Sequence, residues 1–109
     1  MPKYCLQARY TKESIHAIIA EKSDRSGPAE KLAGSFGGKL LGFYGVSGQD
    51  HHIMVILDMP SQQAYMAVYM KLLQSNAFDM VRTVNLYTGA DVVAAATMAE
   101  GASYKSPTD

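Results

Sequence analysis

Two adjacent histidines, His51 and His52, are the residues of this 109-residue chain best suited to chemistry. Imidazole titrates near neutral pH, so a histidine is the likeliest proton carrier there. Neighbouring residues in a strand point to opposite faces, so this pair could not chelate one ion together. Only His16 remains as a further histidine, and no His-x-His, cysteine pair or carboxylate cluster is present. We therefore expect no metal site and no cofactor, with one histidine exposed and the other at a pocket edge.

Other common reactive motifs are missing from the chain. Cys5 is the single cysteine, and no residue near it in sequence would lower the pKa of its thiol, so we interpret it as a small packed hydrophobe. The Gly37-Gly38 and Ser47-Gly48 pairs lack the lysine and hydroxyl residue of a phosphate-binding loop. We interpret these glycines as a helix end and a turn.

The positioning elements follow from the spacing of apolar residues. Period-two and short apolar runs predict strands over 3–10, 39–46, 52–58 and 78–87. Helical spacing predicts helices over about 12–21, from Pro28 to about 36, over 61–75 and over 89–99. Glycines at 42 and 45 suggest a bulge or a close backbone approach in the second strand. The remaining residues, 101–109, form a polar and partly flexible tail.

The order of these elements predicts an α+β fold of ferredoxin-like βαββαβ topology with an added C-terminal helix. Right-handed crossovers place the helices on one sheet face, which leaves the other face bare. The 61–75 helix is apolar most of the way round, so we expect it to contact another subunit. A homodimer or higher homo-oligomer is therefore the expected assembly, with the bare face covered by a second copy.

Composition excludes several classes of protein. Lys plus Arg and Asp plus Glu number 10 each, and this balance predicts no nucleic-acid partner and no membrane association. No segment reads as a secretory signal, and a single cysteine is typical of reducing compartments, so the expected location is cytoplasmic. The length predicts one domain over residues 1–109.

One constellation of polar residues could form a ligand site on the bare face. It comprises Gln7 and Arg9 on the first strand, Tyr44 on the second, His51 or His52 on the third and Arg82 on the fourth. If these side chains project from the same face, they surround a cavity between the sheet and a partner subunit. Such a mostly apolar pocket with a few polar groups is a common pattern for small-molecule binding.

The chain resembles the GYD-domain family over nearly its whole length. Matching segments occur in the family's order and approximate spacing: Met1-Pro2-Lys3-Tyr4, Leu6-Gln7-Ala8, Tyr10-Thr11, Gly37-Gly38-Lys39-Leu40, Phe43-Tyr44, Leu57-Asp58-Met59-Pro60, Arg82-Thr83, Leu86, Thr88 and Tyr104-Lys105-Ser106-Pro107. The resemblance implies a ferredoxin-like subunit of the dimeric α/β-barrel type. It supplies a fold and no reaction.

The naming motif of that family is where this sequence departs. The family has a glycine, then an aromatic residue and an aspartate that lead into the third strand. Here the segment reads Gly48-Gln49-Asp50-His51-His52, and no tyrosine is present. Counting from either side places His51 or His52 at the family's aspartate.

Three function hypotheses follow from these observations. The first is binding of a small ligand in a cleft between the sheet and a partner subunit. The second is a cofactor-free enzyme of monooxygenase, isomerase or decarboxylase type, by analogy of fold. In it, His51 or His52 would be the general base, and Arg82 or Arg9 would stabilise an anion or enolate. The third is a structural self-assembly module.

Overall fold

Four strands and four helices make up the chain in a computed structural model that describes residues 1–109. The strands are β1 (Lys3–Tyr10), β2 (Lys39–Gly45), β3 (Ile53–Asp58) and β4 (Phe78–Leu86). The helices are α1 (Lys12–Glu21), α2 (Ser26–Ser35), α3 (Gln62–Gln74) and α4 (Gly89–Ala99). Every predicted element is present, and its ends lie within two residues of the predicted ones.

The strands form one antiparallel sheet in the order β2-β3-β1-β4. This order, with crossovers through α1–α2 and through α3, confirms the predicted ferredoxin-like α+β fold. β1 and β3 are the central strands, and Leu6 of β1 lies opposite Val55 of β3 and Thr83 of β4. Both edges of the sheet are formed by the outer strands β2 and β4.

Period-two alternation in the central strands gives the sheet one buried face. The side chains on it pack against α2 and α3 and form the core: Tyr4, Leu6, Ala8 and Tyr10 of β1, Ile53, Val55 and Leu57 of β3, with Ala33, Tyr65 and Val68 from the helices. Tyr4 and Tyr65 stack with ring centroids 4.0 Å apart. Burial of these apolar surfaces against the helices is the main stabilising contribution to the fold.

The opposite face of the sheet, called the open face below, has no helix packed against it. Tyr44 and Val84 project from it and are 55% and 40% exposed. Cys5 also belongs to this face, but it is buried between Ile56 and Val84 on the neighbouring strands, and burial raises the pKa of its thiol. The prediction of a packed cysteine is confirmed.

Helix ends follow local capping chemistry. Thr11 and Ser61 cap α1 and α3, and their side-chain oxygens accept from the backbone N–H groups of Ser14 and Ala64. α2 begins at Ser26, two residues before the predicted start at Pro28. Pro28 fits in the first turn of α2 because the backbone N–H groups of a first turn have no intrahelical partner, so the N–H that proline lacks is not needed there.

Two glycines in the β2 region allow close approach. The register of β2 against β3 shifts between Leu40 and Gly42, which confirms the predicted irregularity. A Cβ on Gly42 would lie 2.6 Å from the ring of Tyr44, so the missing side chain lets that ring lie over the strand. A Cβ on Gly38 would overlap the fully buried side chain of Met59 and lie 3.0 Å from the Asp58 carbonyl oxygen.

α4 stands apart from the rest of the fold. Every one of its residues is exposed, and it makes few contacts with any other element. The radius of gyration is 17.5 Å, whereas a compact domain of this length has about 13 Å. None of the helices, α4 included, has the length and continuous apolar character needed to cross a membrane.

The glycine environments predict opposite effects for the same substitution. Gly38→Ala should destabilise the fold by about 1–3 kcal/mol, because Met59 and the Asp58 carbonyl leave no room for a methyl group. Gly34→Ala is the control, since a Cβ there meets nothing within 4 Å and α2 should gain about 0.5–1 kcal/mol. Denaturant unfolding measures the free energy of unfolding of both variants, and equal changes in the two would contradict the packing around Gly38.

Candidate functional site

A cluster of polar side chains lies at one end of the open face, where β1 and β4 meet the loop before β3. Its members, called the polar cluster below, are Gln7, Arg9, Asp50, His51, Asp79 and Arg82. The register of the strands brings Gln7 and Arg82 together, because Gln7 of β1 lies directly opposite Arg82 of β4. The loop between β2 and β3 supplies Asp50 and His51.

Arg82 is the centre of the cluster. Its Nη1 and Nη2 donate to the two carboxylate oxygens of Asp50 at 3.2 and 3.0 Å, and its Nε donates to Gln7 Oε1 at 2.9 Å. This two-pronged contact matches the fork of a guanidinium to the two oxygens of a carboxylate. Arg82 therefore ties the loop before β3 to the strands β1 and β4.

Arg9 makes a second, parallel set of contacts. Its Nε donates to Asp79 Oδ1 at 2.6 Å, and its Nη1 donates to the backbone carbonyl of Asp50 at 3.3 Å. Each arginine of the cluster is thus matched by one aspartate. With a neutral histidine the cluster carries no net charge.

His51 lies against this pair of charges and is only 7% exposed. Its Nδ1 is 3.2 Å from Asp50 Oδ1 and 3.2 Å from Arg82 Nη2. When Nδ1 carries the proton, it donates to Asp50 and Nε2 keeps a free lone pair. When Nε2 carries the proton, Nδ1 accepts from Arg82. Only the first tautomer leaves Nε2 able to act as a base.

His52 has a different role from its neighbour. Its Nδ1 accepts from the backbone N–H of Tyr10 at 3.0 Å, and its ring stacks on that of Tyr10 at 6.0 Å. Its own backbone N–H donates to the carbonyl of Ala8. The expectation that one histidine would be exposed is wrong, because these contacts hold the loop against the end of β1 and leave His52 half-buried.

The structure brings most of the predicted site residues together. Gln7, Arg9, His51 and Arg82 all belong to the polar cluster. Tyr44 shares the open face but lies to one side, with Met54 between it and Gln7, and its hydroxyl makes no hydrogen bond. His52 is excluded, because its ring is engaged with Tyr10.

Two aspartates of the cluster were absent from the sequence prediction. Asp50 was named only within the segment 48–52, and Asp79 had no predicted role. Asp79 lies where the register between β1 and β4 shifts, between Met80 opposite Arg9 and Phe78 opposite Tyr10, and this register is known only from the structure. The contact of Asp50 with Arg82 joins residues 32 positions apart, and only the fold brings them together.

Electrostatics within the cluster are dominated by the Arg82–Asp50 pair. The hydrogen bonds from Arg82, and secondarily from His51, hold the pKa of the Asp50 carboxyl well below its usual range. The same contact raises the pKa of Arg82. Both groups are therefore charged at neutral pH. No group of three or more His, Cys, Asp or Glu side chains is arranged to hold a metal ion.

Three cavities of the single chain lie away from the polar cluster. One, of about 300 Å³, opens between α1, α2 and α3, and a wholly apolar one of about 50 Å³ lies beneath it against the sheet. The third is a groove of about 320 Å³ between α3 and β4. None is lined by a predicted site residue. A pocket at the cluster therefore requires a cover on the open face.

Replacing the central arginine should release the neighbouring carboxyl. We expect Arg82→Gln to raise the pKa of Asp50 towards the value of about 3.9 typical of a free aspartate. Arg9→Gln is the control, since Arg9 contacts only the backbone carbonyl of Asp50. Carboxyl-carbon NMR titration measures the pKa of Asp50 in both variants.

The sign of the linked stability effect follows from that shift. A carboxyl with a depressed folded pKa stabilises the fold above its unfolded pKa, and this contribution is lost as pH falls through the folded pKa. The wild type should therefore lose stability on acidification below about pH 4, more steeply than Arg82→Gln. An Asp50 pKa equal in the wild type and Arg82→Gln would rule out the ion pair.

Comparison with protein families gives a match over most of the chain. No curated protein matches the chain. The family model of the GYD domain matches residues 4–96, which include all four strands, the polar cluster and most of α4. The matched region contains the segment 48–52. Since the match covers most of its length, this chain belongs to the GYD-domain family.

Proposed function

We propose that this protein binds a small, largely apolar ligand between the open face and a partner subunit. The observation that carries the proposal is the polar cluster, which lies beside an apolar patch on an uncovered sheet face. Apolar side chains beside it include Met54, Ile56, Met80 and Val84. A mainly apolar wall with a few fixed polar groups is typical of small-molecule sites.

The hydrogen bonds already made within the cluster limit the chemistry of that ligand. Both guanidinium groups have aspartate partners, so a further anion would have to displace a carboxylate. The Gln7 side-chain amide nitrogen and the Tyr44 hydroxyl have no partner, and they can donate to a ligand oxygen. These groups favour a neutral ligand that carries a carbonyl or hydroxyl group.

A second copy of the chain is the proposed cover of the open face. The chain exposes 7560 Å² of surface, whereas a compact monomer of this mass exposes roughly 5,900 Å². Part of this excess surface is apolar and lies on the open face and on α3, where Met66, Met70 and Leu73 are about half exposed. A neutral chain with such surfaces favours association with itself. Cys5, a free and buried thiol, suits the reducing cytoplasm as the proposed location.

A charge placed on the open face should disrupt the proposed dimer. Val84→Glu puts an unpaired carboxylate in the interface, and we expect the mass measured by sedimentation to fall below that of the wild type. Ile19→Glu, on an exposed position of α1, is the matched control and should leave the mass unchanged. A wild-type monomer, or a Val84→Glu variant with the same mass as the wild type, would exclude this interface.

Ligand binding can be tested with naphthol, an aromatic probe that bears one hydroxyl. In an NMR titration we expect the side-chain amide of Gln7 and the signals of Met54 and Met80 to shift. Gln7→Leu should weaken binding several-fold, because it removes the amide donor to the probe. The fold should be preserved, because Arg82 loses its bond to Gln7 but keeps both bonds to Asp50. Shifts confined to Leu32 and Leu72, which line the cavities between the helices, would overturn the proposal.

One observation favours the alternative of a cofactor-free enzyme of monooxygenase or isomerase type. Asp50 can orient His51 through Nδ1, which leaves Nε2 as a possible general base beside the Arg82 guanidinium. The same titration distinguishes this alternative, because a bound probe that is chemically altered by the wild type and unaltered by His51→Ala identifies a reaction. If the probe does not bind and the dimer is intact, the self-assembly module is the remaining hypothesis.

A further inference from the structure

The C-terminal helix α4 is an apolar helix with nothing packed against it. Eight consecutive uncharged residues run from Val92 to Ala99, and Val93 and Met98 are 66% and 80% exposed. An isolated helix of 11 residues is barely stable in water, and a helix that is apolar all round is normally buried. The sequence of α4 is therefore that of a helix with a packing partner.

The junction between β4 and α4 is short and is closed by a helix cap. Only Tyr87 and Thr88 separate the two elements. The Thr88 hydroxyl accepts from the Asp91 N–H at 3.1 Å, and the Asp91 carboxylate accepts from the Thr88 N–H at 2.9 Å. This reciprocal capping box holds the first turn in place. All residues of α4 are exposed and the helix makes few contacts with other elements, so α4 projects outward from its own chain.

A groove that lacks a packing partner lies on the helical side of the same molecule, between α3 and β4. It measures about 320 Å³, and all seven residues that line it are uncharged: Tyr4, Gln62, Tyr65, Met66, Tyr69, Thr83 and Asn85. Thr83 points towards the helices and bonds to the Tyr65 hydroxyl at 2.6 Å, yet it is exposed. α3 therefore does not cover this half of β4.

We propose that α4 of one copy docks in the groove between α3 and β4 of a second copy, in a reciprocal exchange of C-terminal arms. Arm and groove match in charge, because neither carries a charged side chain along its contact surface. The alanines at 94–96 and 99 allow the arm to approach α3 closely, while Val92, Val93 and Met98 supply apolar area.

The exposed area supports a second copy as the occupant. Each chain exposes about 1,600 Å² beyond the expectation for a compact monomer. Two copies that each buried this excess would form an interface within the size range of obligate homodimers, above about 2,000 Å² in total. A two-fold exchange uses the arm and the groove of both chains at once, so neither remains uncovered.

Crosslinking between differently labelled copies tests the exchange directly. Full-length Val93→Cys and Met66→Cys chains are mixed, unfolded and refolded together, and treated with a short bis-maleimide. We expect a covalent species of two chains that contains one of each variant. The control mixture pairs Val93→Cys with Ile19→Cys on the exposed part of α1, outside the groove, and should give at least about tenfold less of it. Cys5 is common to all chains and is buried.

The other outcomes each overturn the proposal. A Val93→Cys/Met66→Cys double variant that crosslinks only within one chain would show that the arm folds back onto its own groove. Equal crosslinking in the test and control mixtures would show random collision. The proposed cover of the open face is judged separately, since Val84→Glu alters that face and leaves both arm and groove unchanged.

Discussion

The alternation of side chains along β1 is the constraint on which the rest of this structure depends. Tyr4, Leu6, Ala8 and Tyr10 point into the helical layer, and the residues between them point to the open face. A shift of one residue in register would exchange the two sets and expose the core. The same alternation therefore buries the apolar side chains and delivers Gln7 and Arg9 to the polar cluster.

The polar cluster in turn compensates for an irregular loop. Residues 46–52 connect two strands without regular structure, and Arg82 holds this loop through both carboxylate oxygens of Asp50. His52 secures the other side through the Tyr10 backbone N–H. In this chain the segment that departs from the family's naming motif is thus part of both the candidate site and the packing of the sheet end, and a substitution there would affect both.

Exposed apolar surface is the common basis of the two proposed contacts between copies, through the open face and through α4. The open face, the outer side of α3 and the whole of α4 are all more apolar than a solvated surface requires. In a chain of this size the core between helices and sheet is small, with 11 buried residues, so additional burial between copies would add substantially to stability. Face-to-face packing and arm exchange would each cover a different part of that surface.

Local pattern in the sequence determined the elements, their order and the sharing of one face by Gln7 and Arg9, because hydrophobic period and strand alternation act over a few residues. The placement of Tyr44 and Arg82 on the same face depends on the register between strands, which the structure supplies. Tertiary structure alone decided which histidine joins the polar cluster. His51 and His52 lie in the loop before β3, where side chains do not alternate between faces as in a strand, so their directions do not follow from their positions in the sequence. The tertiary structure also decided the partners of the two arginines, because Asp50 and Asp79 reach them across 32 and 70 positions of sequence. The projection of α4 is likewise tertiary, as an apolar helix pattern predicts burial without saying which surface provides it.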